Sequence, residues 1–239
     1  MWFLQLISMT LVAFSGMWAP AFDPGKPNSA GTAWRHYGHD AGGTRFSPLS
    51  QINRSNVGKL TVAWTYRTGE VALGNKDRAF ECTPLVVGDT LYLSTPSSRV
   101  IALDAATGAE RWVFDPQEGK KDRQFLQHRG VAFWESGDKR DQRILYGTLD
   151  GKLIALNART GKPCPDFGQK GWVDLRKGAA ERWPDLQYGV TSPPAIYKDL
   201  VIVGSLVPES PGKGPSGVVR AFDVRSGQLI WKFNTIPET

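Results

Sequence analysis

Residues 102–112 read Ala102-Leu-Asp-Ala-Ala-Thr-Gly-Ala-Glu-Arg-Trp112, and the pattern returns as Ala221-Phe-Asp-Val-Arg-Ser-Gly-Gln-Leu-Ile-Trp231. A third copy, Ala155-Leu-Asn-Ala-Arg-Thr-Gly161, lies between them. It departs where the Trp is expected, running on as Lys162-Pro-Cys-Pro-Asp-Phe167. Each copy follows an alternating or apolar run: Thr90-Leu-Tyr-Leu-Ser-Thr95, Arg143-Ile-Leu-Tyr-Gly147 and Leu200-Val-Ile-Val-Gly204. An internal repeat of this kind marks one supersecondary unit used several times. The unit reads as an apolar strand, a second strand, a tight turn at Asp/Asn-x-x-Thr/Ser-Gly, and a third strand ending in Trp. The Asp or Asn side chain bonds nearby backbone N–H groups, and the Gly takes the positive φ of the turn. A lone small sheet cannot bury both faces. Sheets stacked radially bury each other, with large Trp rings filling the wedge between them.

Composition supports an all-β chain. Of 239 residues, 26 are Gly, 16 are Pro and nine are Trp, a mix that suits short strands and many turns. Beyond residue 30 no long segment keeps helical apolar periodicity without a Gly or Pro interrupting it. The turn glycines Gly108, Gly161 and Gly227 are unevenly spaced, so loop insertions separate the units. The formal net charge is +6, but the Lys and Arg are scattered without a dense basic run, which argues against a nucleic-acid partner. Residues 1–21 are expected to be an export signal. Phe3–Trp18 is uncharged and mostly apolar, and Ala19-Pro-Ala21 suits a signal peptidase. An uncleaved anchor is the alternative, and either places residues 22–239 in the periplasm. Cys82 and Cys164 sit in different repeats, which argues against their pairing.

Residues 34–53, Trp34-Arg-His-Tyr-Gly-His-Asp-Ala-Gly-Gly-Thr-Arg-Phe-Ser-Pro-Leu-Ser-Gln-Ile-Asn53, followed by Asn56-Val-Gly-Lys-Leu-Thr-Val-Ala-Trp-Thr-Tyr-Arg-Thr-Gly-Glu70, resemble the opening of quinoprotein alcohol and sugar dehydrogenases. The resemblance continues through Phe80–Val87, Arg129–Trp134, Thr191–Pro194 and the Trp-bearing repeats. Gly161-Lys-Pro-Cys-Pro-Asp-Phe-Gly168 and Pro215-Ser-Gly-Val-Val-Arg220 point to the glucose and quinate dehydrogenase branch. The resemblance implies an eight-bladed β-propeller with pyrroloquinoline quinone (PQQ) in its central channel. About three consecutive four-stranded blades are expected here, with a further strand around Leu60–Tyr66 that in the family completes the last blade and that here would lack its partner.

By resemblance, Glu81, Arg129, Thr191 and Ser205 fall among the cofactor contacts, and Glu209 falls on an acidic ligand of Ca²⁺ or Mg²⁺. At Ser205 the pattern is imperfect, because Leu206 stands where the family has a small residue. The chemistry agrees: PQQ is a tricarboxylate, and Arg offers it a rigid, permanently charged fork. Glu209 lies eighteen residues after Thr191, the family's spacing, and a carboxylate is what such a metal requires. Alcohol-oxidising members carry adjacent cysteines before the Arg129 position. Asp122–His128 has none, which favours a sugar or cyclic polyol substrate, with electrons leaving to a membrane quinone or a cytochrome. The family's catalytic Asp base, second metal ligand and quinone-stacking Trp come later than Thr239. This chain is therefore expected to hold half a cofactor site, to contain no catalytic residue, and to be inactive alone.

A rival reading is a non-catalytic propeller module that binds proteins, but such a scaffold has no reason to keep Glu81, Arg129, Thr191 and Glu209 together. Gly212-Lys-Gly-Pro-Ser-Gly217 matches a dinucleotide fingerprint in form only, since a strand rather than a helix follows it. His36 and His39 lack a third ligand nearby and read as loop residues.

Overall fold

Each repeat folds into a meander of four antiparallel strands. In the computed structural model, which describes residues 33–40, 42–74, 79–209 and 213–235, the first sheet comprises β1 (Leu85–Val87), β2 (Thr90–Ser94), β3 (Val100–Asp104) and β4 (Glu110–Phe114). The second comprises β5 (Ala132–Glu135), β6 (Gln142–Gly147), β7 (Lys152–Asn157) and β8 (Trp172–Asp174). The third comprises β9 (Ala195–Tyr197), β10 (Leu200–Val203), β11 (Val219–Asp223) and β12 (Leu229–Phe233). Residues 1–21, the expected export signal, lie outside the described residues.

The repeated turns share one hydrogen-bond pattern. Oδ1 of Asp104 accepts from the amides of Ala106 and Thr107, at 3.1 and 2.9 Å, and from the Thr107 hydroxyl. Asn157 and Asp223 make the same three bonds in their own turns. Gly108, Gly161 and Gly227 follow at φ 72°, 69° and 71°, the left-handed region that glycine enters without steric cost.

These turns are also docking points. A Cβ on Gly108 would lie 2.5 Å from the Trp64 ring, and one on Gly161 would lie 2.6 Å from the Trp112 ring. The Trp64 indole N–H donates to the Ala105 carbonyl at 3.3 Å, and that of Trp112 to the Ala158 carbonyl at 3.0 Å. The Trp that ends one repeat therefore rests on the turn of the next sheet. The repeat at 155–161 lacks its Trp for a structural reason. Its insertion buries Phe167 and Cys164, and Gly168 N–H donates to Ser226 O at 2.8 Å, so backbone meets the Gly227 turn where a ring would otherwise lie. Trp231 remains 39% exposed, on a strand whose Leu229, Ile230 and Phe233 are also exposed.

The middle strands bury both faces with a period of two. In β3, Val100 and Ala102 join the core between the first and second sheets, while Ile101 and Leu103 face Trp64, Tyr66 and Cys82. In β7, Ile154 and Leu156 share the first of these cores, and Leu153 and Ala155 face the third sheet with Trp134, Val201 and Phe222. The polar bonding between the second and third sheets is equally specific. Arg143, almost wholly buried, pairs with Asp141 and Asp166 and donates to the carbonyls of Val224 and Arg225. Cys82 and Cys164 are free thiols.

The strand expected at Leu60–Tyr66 does not form. Leu60 and Val62 are exposed, and only Trp64 and Tyr66 pack inward. A strand needs a hydrogen-bonded neighbour, and no strand among the described residues pairs with this segment.

Replacing Gly161 by Ala should lower the unfolding free energy by about 2–4 kcal/mol, from left-handed strain and the displaced Trp112 ring. Replacing Gly58, where a Cβ meets nothing within 4 Å, should leave it within about 0.5 kcal/mol. Urea unfolding followed by circular dichroism measures both, and equal effects would remove the docking role of Gly161.

Candidate cofactor-binding site

The residues that lead into β1, β5 and β9 are tied side by side through their backbones. Thr83 N–H donates to Arg129 O at 3.1 Å, and Arg129 N–H donates to Thr191 O at 2.8 Å. Gly130 allows this approach: its φ is 140°, and a Cβ there would lie 3.0 Å from the Thr83 carbonyl oxygen. Three of the expected site residues, one from each repeat, thus converge along one edge of the stack.

Arg129 is the hub. Its Nη2 lies 3.3 Å from Glu81 Oε2, and its Nη1 donates to Thr191 Oγ1, also at 3.3 Å. Both distances exceed the roughly 2.7–2.9 Å of a tight charge-assisted bond. The Arg129 and Glu81 side chains are 43% and 38% exposed. An ion pair this open contributes about 0–1 kcal/mol to stability. The guanidinium is therefore positioned by the backbone relay more than it is held by its side-chain partners, and it remains open to an incoming carboxylate.

Two clefts meet at Ser192–Pro194. One, of about 480 Å³, runs from Arg129 along Val131–Phe133 to Arg35 and Tyr37. The other, of about 260 Å³, is lined by Thr191, Gly204, Ser205 and Leu206. Ser205 Oγ is buried without a hydrogen-bond partner, a costly state for a hydroxyl. Leu206, which also lines this cleft, is held by a backbone bridge to Gly189, with amides and carbonyls exchanged at 3.2 and 2.7 Å. An open cationic fork, a threonine hydroxyl and an orphaned serine hydroxyl fit a planar, carboxylate-bearing group.

The metal position is less complete. Glu209 is exposed, and among the described residues no three His, Cys, Asp or Glu side chains gather as a metal site. One carboxylate is a small share of the about six to eight oxygens that Ca²⁺ takes. His36 and His39 form a loop turn, with His39 N–H donating to His36 O at 2.9 Å and its ring 4.8 Å from that of Trp34.

His128 carries no motif of its own in the sequence, and the structure buries it beside Arg129. The available signal was its place immediately before the one Arg expected to contact the cofactor.

Face-to-face sheets of a single repeat, with the lead-ins to their first strands bonded side by side, define a β-propeller segment. Residues 34–239 match the family described as PQQ: glucose/ethanol/alcohol dehydrogenase, β-propeller domain, and the chain belongs to that family. It is 42% identical over 216 residues to the quinoprotein glucose dehydrogenase of Escherichia coli, covering 84% of this chain and 27% of that protein. It is 37% identical to the quinate/shikimate dehydrogenase (quinone) of Acinetobacter baylyi, covering 88% of this chain and 29% of the relative. The quinohemoprotein alcohol dehydrogenase structure from Comamonas testosteroni superposes with a TM-score of 0.69 at 32% identity, over 89% of this chain and 28% of that one. The chain therefore spans under a third of the length of these relatives.

Arg129→Ala should change the unfolding free energy by less than about 1 kcal/mol. Trp112→Ala should cost about 2–4 kcal/mol through lost seam packing. A loss at Arg129 as large as at Trp112 would make the arginine a structural residue.

Proposed function

We propose that this chain supplies part of the cofactor seat of a PQQ-dependent dehydrogenase that oxidises a hydroxyl of an aldose or cyclic polyol. The observation that carries the reading is the Arg129 fork, open to solvent between Glu81 and Thr191 and fixed by backbone bonds to two neighbouring sheets. Arg129 binds a cofactor carboxylate, Thr191 and Ser205 donate hydroxyl hydrogen bonds, and Glu81 accepts one from a ring N–H. Bound PQQ supplies the two-electron acceptor for the substrate's hydroxyl carbon. Glu209 contributes one oxygen to a Ca²⁺ or Mg²⁺ site whose other ligands come from outside the described residues.

The substrate class rests on Asp122–His128, which lacks adjacent cysteines, and on similarity to proteins named for glucose and quinate. The electron acceptor in this reading is a membrane quinone or a cytochrome. The location is the periplasm, with residues 1–21 directing export.

The test is a titration of the 239-residue chain with PQQ in the presence of Ca²⁺, followed by tryptophan fluorescence, alongside dye-linked oxidation assays with glucose, quinate and ethanol. Saturable quenching is expected, and Arg129→Ala should weaken it about 10–100-fold, as the loss of a charge-assisted bond implies. The chain alone should oxidise none of the three substrates. An unchanged affinity in the Arg129 variant would overturn its role. In the complete dehydrogenase that carries this segment, oxidation of ethanol but not of glucose or quinate would overturn the substrate class.

A further inference from the structure

Arg129 is flanked by a residue whose side chain points the other way. The His128 ring is 1% exposed and lies in the seam between the first and second sheets. Its Nε2 is 2.8 Å from the Gly147 carbonyl oxygen at the end of β6, and its Nδ1 is 2.8 Å from Ser94 Oγ at the end of β2. A carbonyl only accepts, so Nε2 carries the proton and Nδ1 accepts from the Ser94 hydroxyl. That bond uses the hydroxyl's one proton, and Cys82 Sγ lies 3.6 Å from the same oxygen. The Cys82 sulfur itself accepts from Ser94 N–H at 3.3 Å.

The chain of contacts continues beyond Gly147. Thr148 O accepts from Val190 N–H at 2.9 Å, and Val190 packs so closely that a Cβ on Gly147 would lie 2.2 Å from its own Cβ. Cys82, His128 and Val190 are the chain neighbours of Glu81, Arg129 and Thr191. Behind the three site residues therefore runs a rail from half-buried Cys82 through buried Ser94, His128 and Gly147–Thr148 to Val190.

We propose that His128 is the positioning residue of this site: by bridging Ser94 to Gly147 it sets the spacing of Glu81, Arg129 and Thr191 and aims the Arg129 fork at the cofactor carboxylate. The inference rests on the reading of Arg129 as a cofactor contact. The ring works in its neutral form, because a charged imidazole would add a second buried donor and a positive charge beside Arg129. Burial holds its pKa down to about 4 against the pull of the Gly147 carbonyl, with the Arg129 charge adding to the effect. The other titratable groups against the ring are the Cys82 thiol, beyond Ser94, and Tyr146, whose ring is 5.9 Å away; burial raises the pKa of both, so neither carries charge at neutral pH.

The test is amide hydrogen exchange by nuclear magnetic resonance on the 239-residue chain, comparing His128→Leu, His128→Gln and Ser94→Ala with the parent. The Thr83 and Arg129 amides report the spacing directly, since each donates across a sheet boundary. His128→Leu should speed their exchange about tenfold or more while the Leu145 and Ile154 amides, inside the second sheet, change less than about twofold. Gln offers one donor and one acceptor and should restore most of the protection. Ser94→Ala, which keeps the ring, should give a smaller shift at the same two amides. A uniform acceleration across the second sheet, or no change at Thr83 and Arg129, would overturn the proposal.

A pH series adds a second readout. A histidine whose pKa falls from 6.5 to about 4 on folding stabilises the fold fully above pH 6.5, and this contribution is lost as pH falls from there towards 4. The urea midpoint of the parent should drop across that window, and His128→Gln should flatten the drop; an unchanged slope would count against the neutral bridge. PQQ titration of the same variants separates the two readings. Altered exchange in His128→Leu with no PQQ binding by the parent would leave the positioning intact and sink the cofactor assignment.

Discussion

A four-stranded sheet with apolar residues on both faces is stable only when something covers each face. Between successive repeats of this chain the cover is the next sheet, seated by Trp112 on the Gly161 turn at the first seam and by the Gly168 backbone on the Gly227 turn at the second. Trp112 on Gly161 sets the distance between the first and second sheets and their angle, because the ring, its N–H bond and the left-handed turn leave little freedom, and Trp64 on Gly108 seats the segment before β1 in the same way. Everything at the opposite edge follows from that spacing. If the outer turns docked differently, the strand starts at Thr83, Arg129 and Thr191 would not be near enough to exchange backbone hydrogen bonds.

The parts of the fold set by local rules were readable from residue order. Asp104, Asn157 and Asp223 cap their turns as their types require, and the alternating runs become strands with two buried faces. The stretch at Leu60–Tyr66 has strand composition and no ladder, since pairing depends on a neighbour that composition cannot specify. The missing Trp after Gly161 was visible as a departure, but its cause was not. Only the packed structure shows Gly168 bonded to Ser226 where a ring would lie.

The site was legible to a different degree. Arg129, Glu81 and Thr191 come from three repeats and lie far apart in sequence, so their meeting is a property of the stack. Ser205 acquired significance through a hydroxyl buried without a partner, a state that residue type does not reveal. Glu209 remains a single exposed carboxylate, consistent with a ligand set drawn from more than one part of a ring. A buried, neutral histidine such as His128 looks in sequence like any other polar residue of a loop.

The self-contained turns on the outer edge carry an evolutionary consequence. Each Asp or Asn cap forms its turn with bonds from within four residues, so the turn keeps its shape by itself and offers its remaining carbonyls to the neighbouring segment. Insertions there, such as 162–171, and in the long connections 115–131 and 175–194 leave the bonds along the inner edge in place. Descendants of such a chain are free to vary in length at the periphery and at the mouth while the residues along the axis drift slowly. Length can then change around the periphery while the spacing of the backbone bonds at Thr83, Arg129 and Thr191 stays fixed.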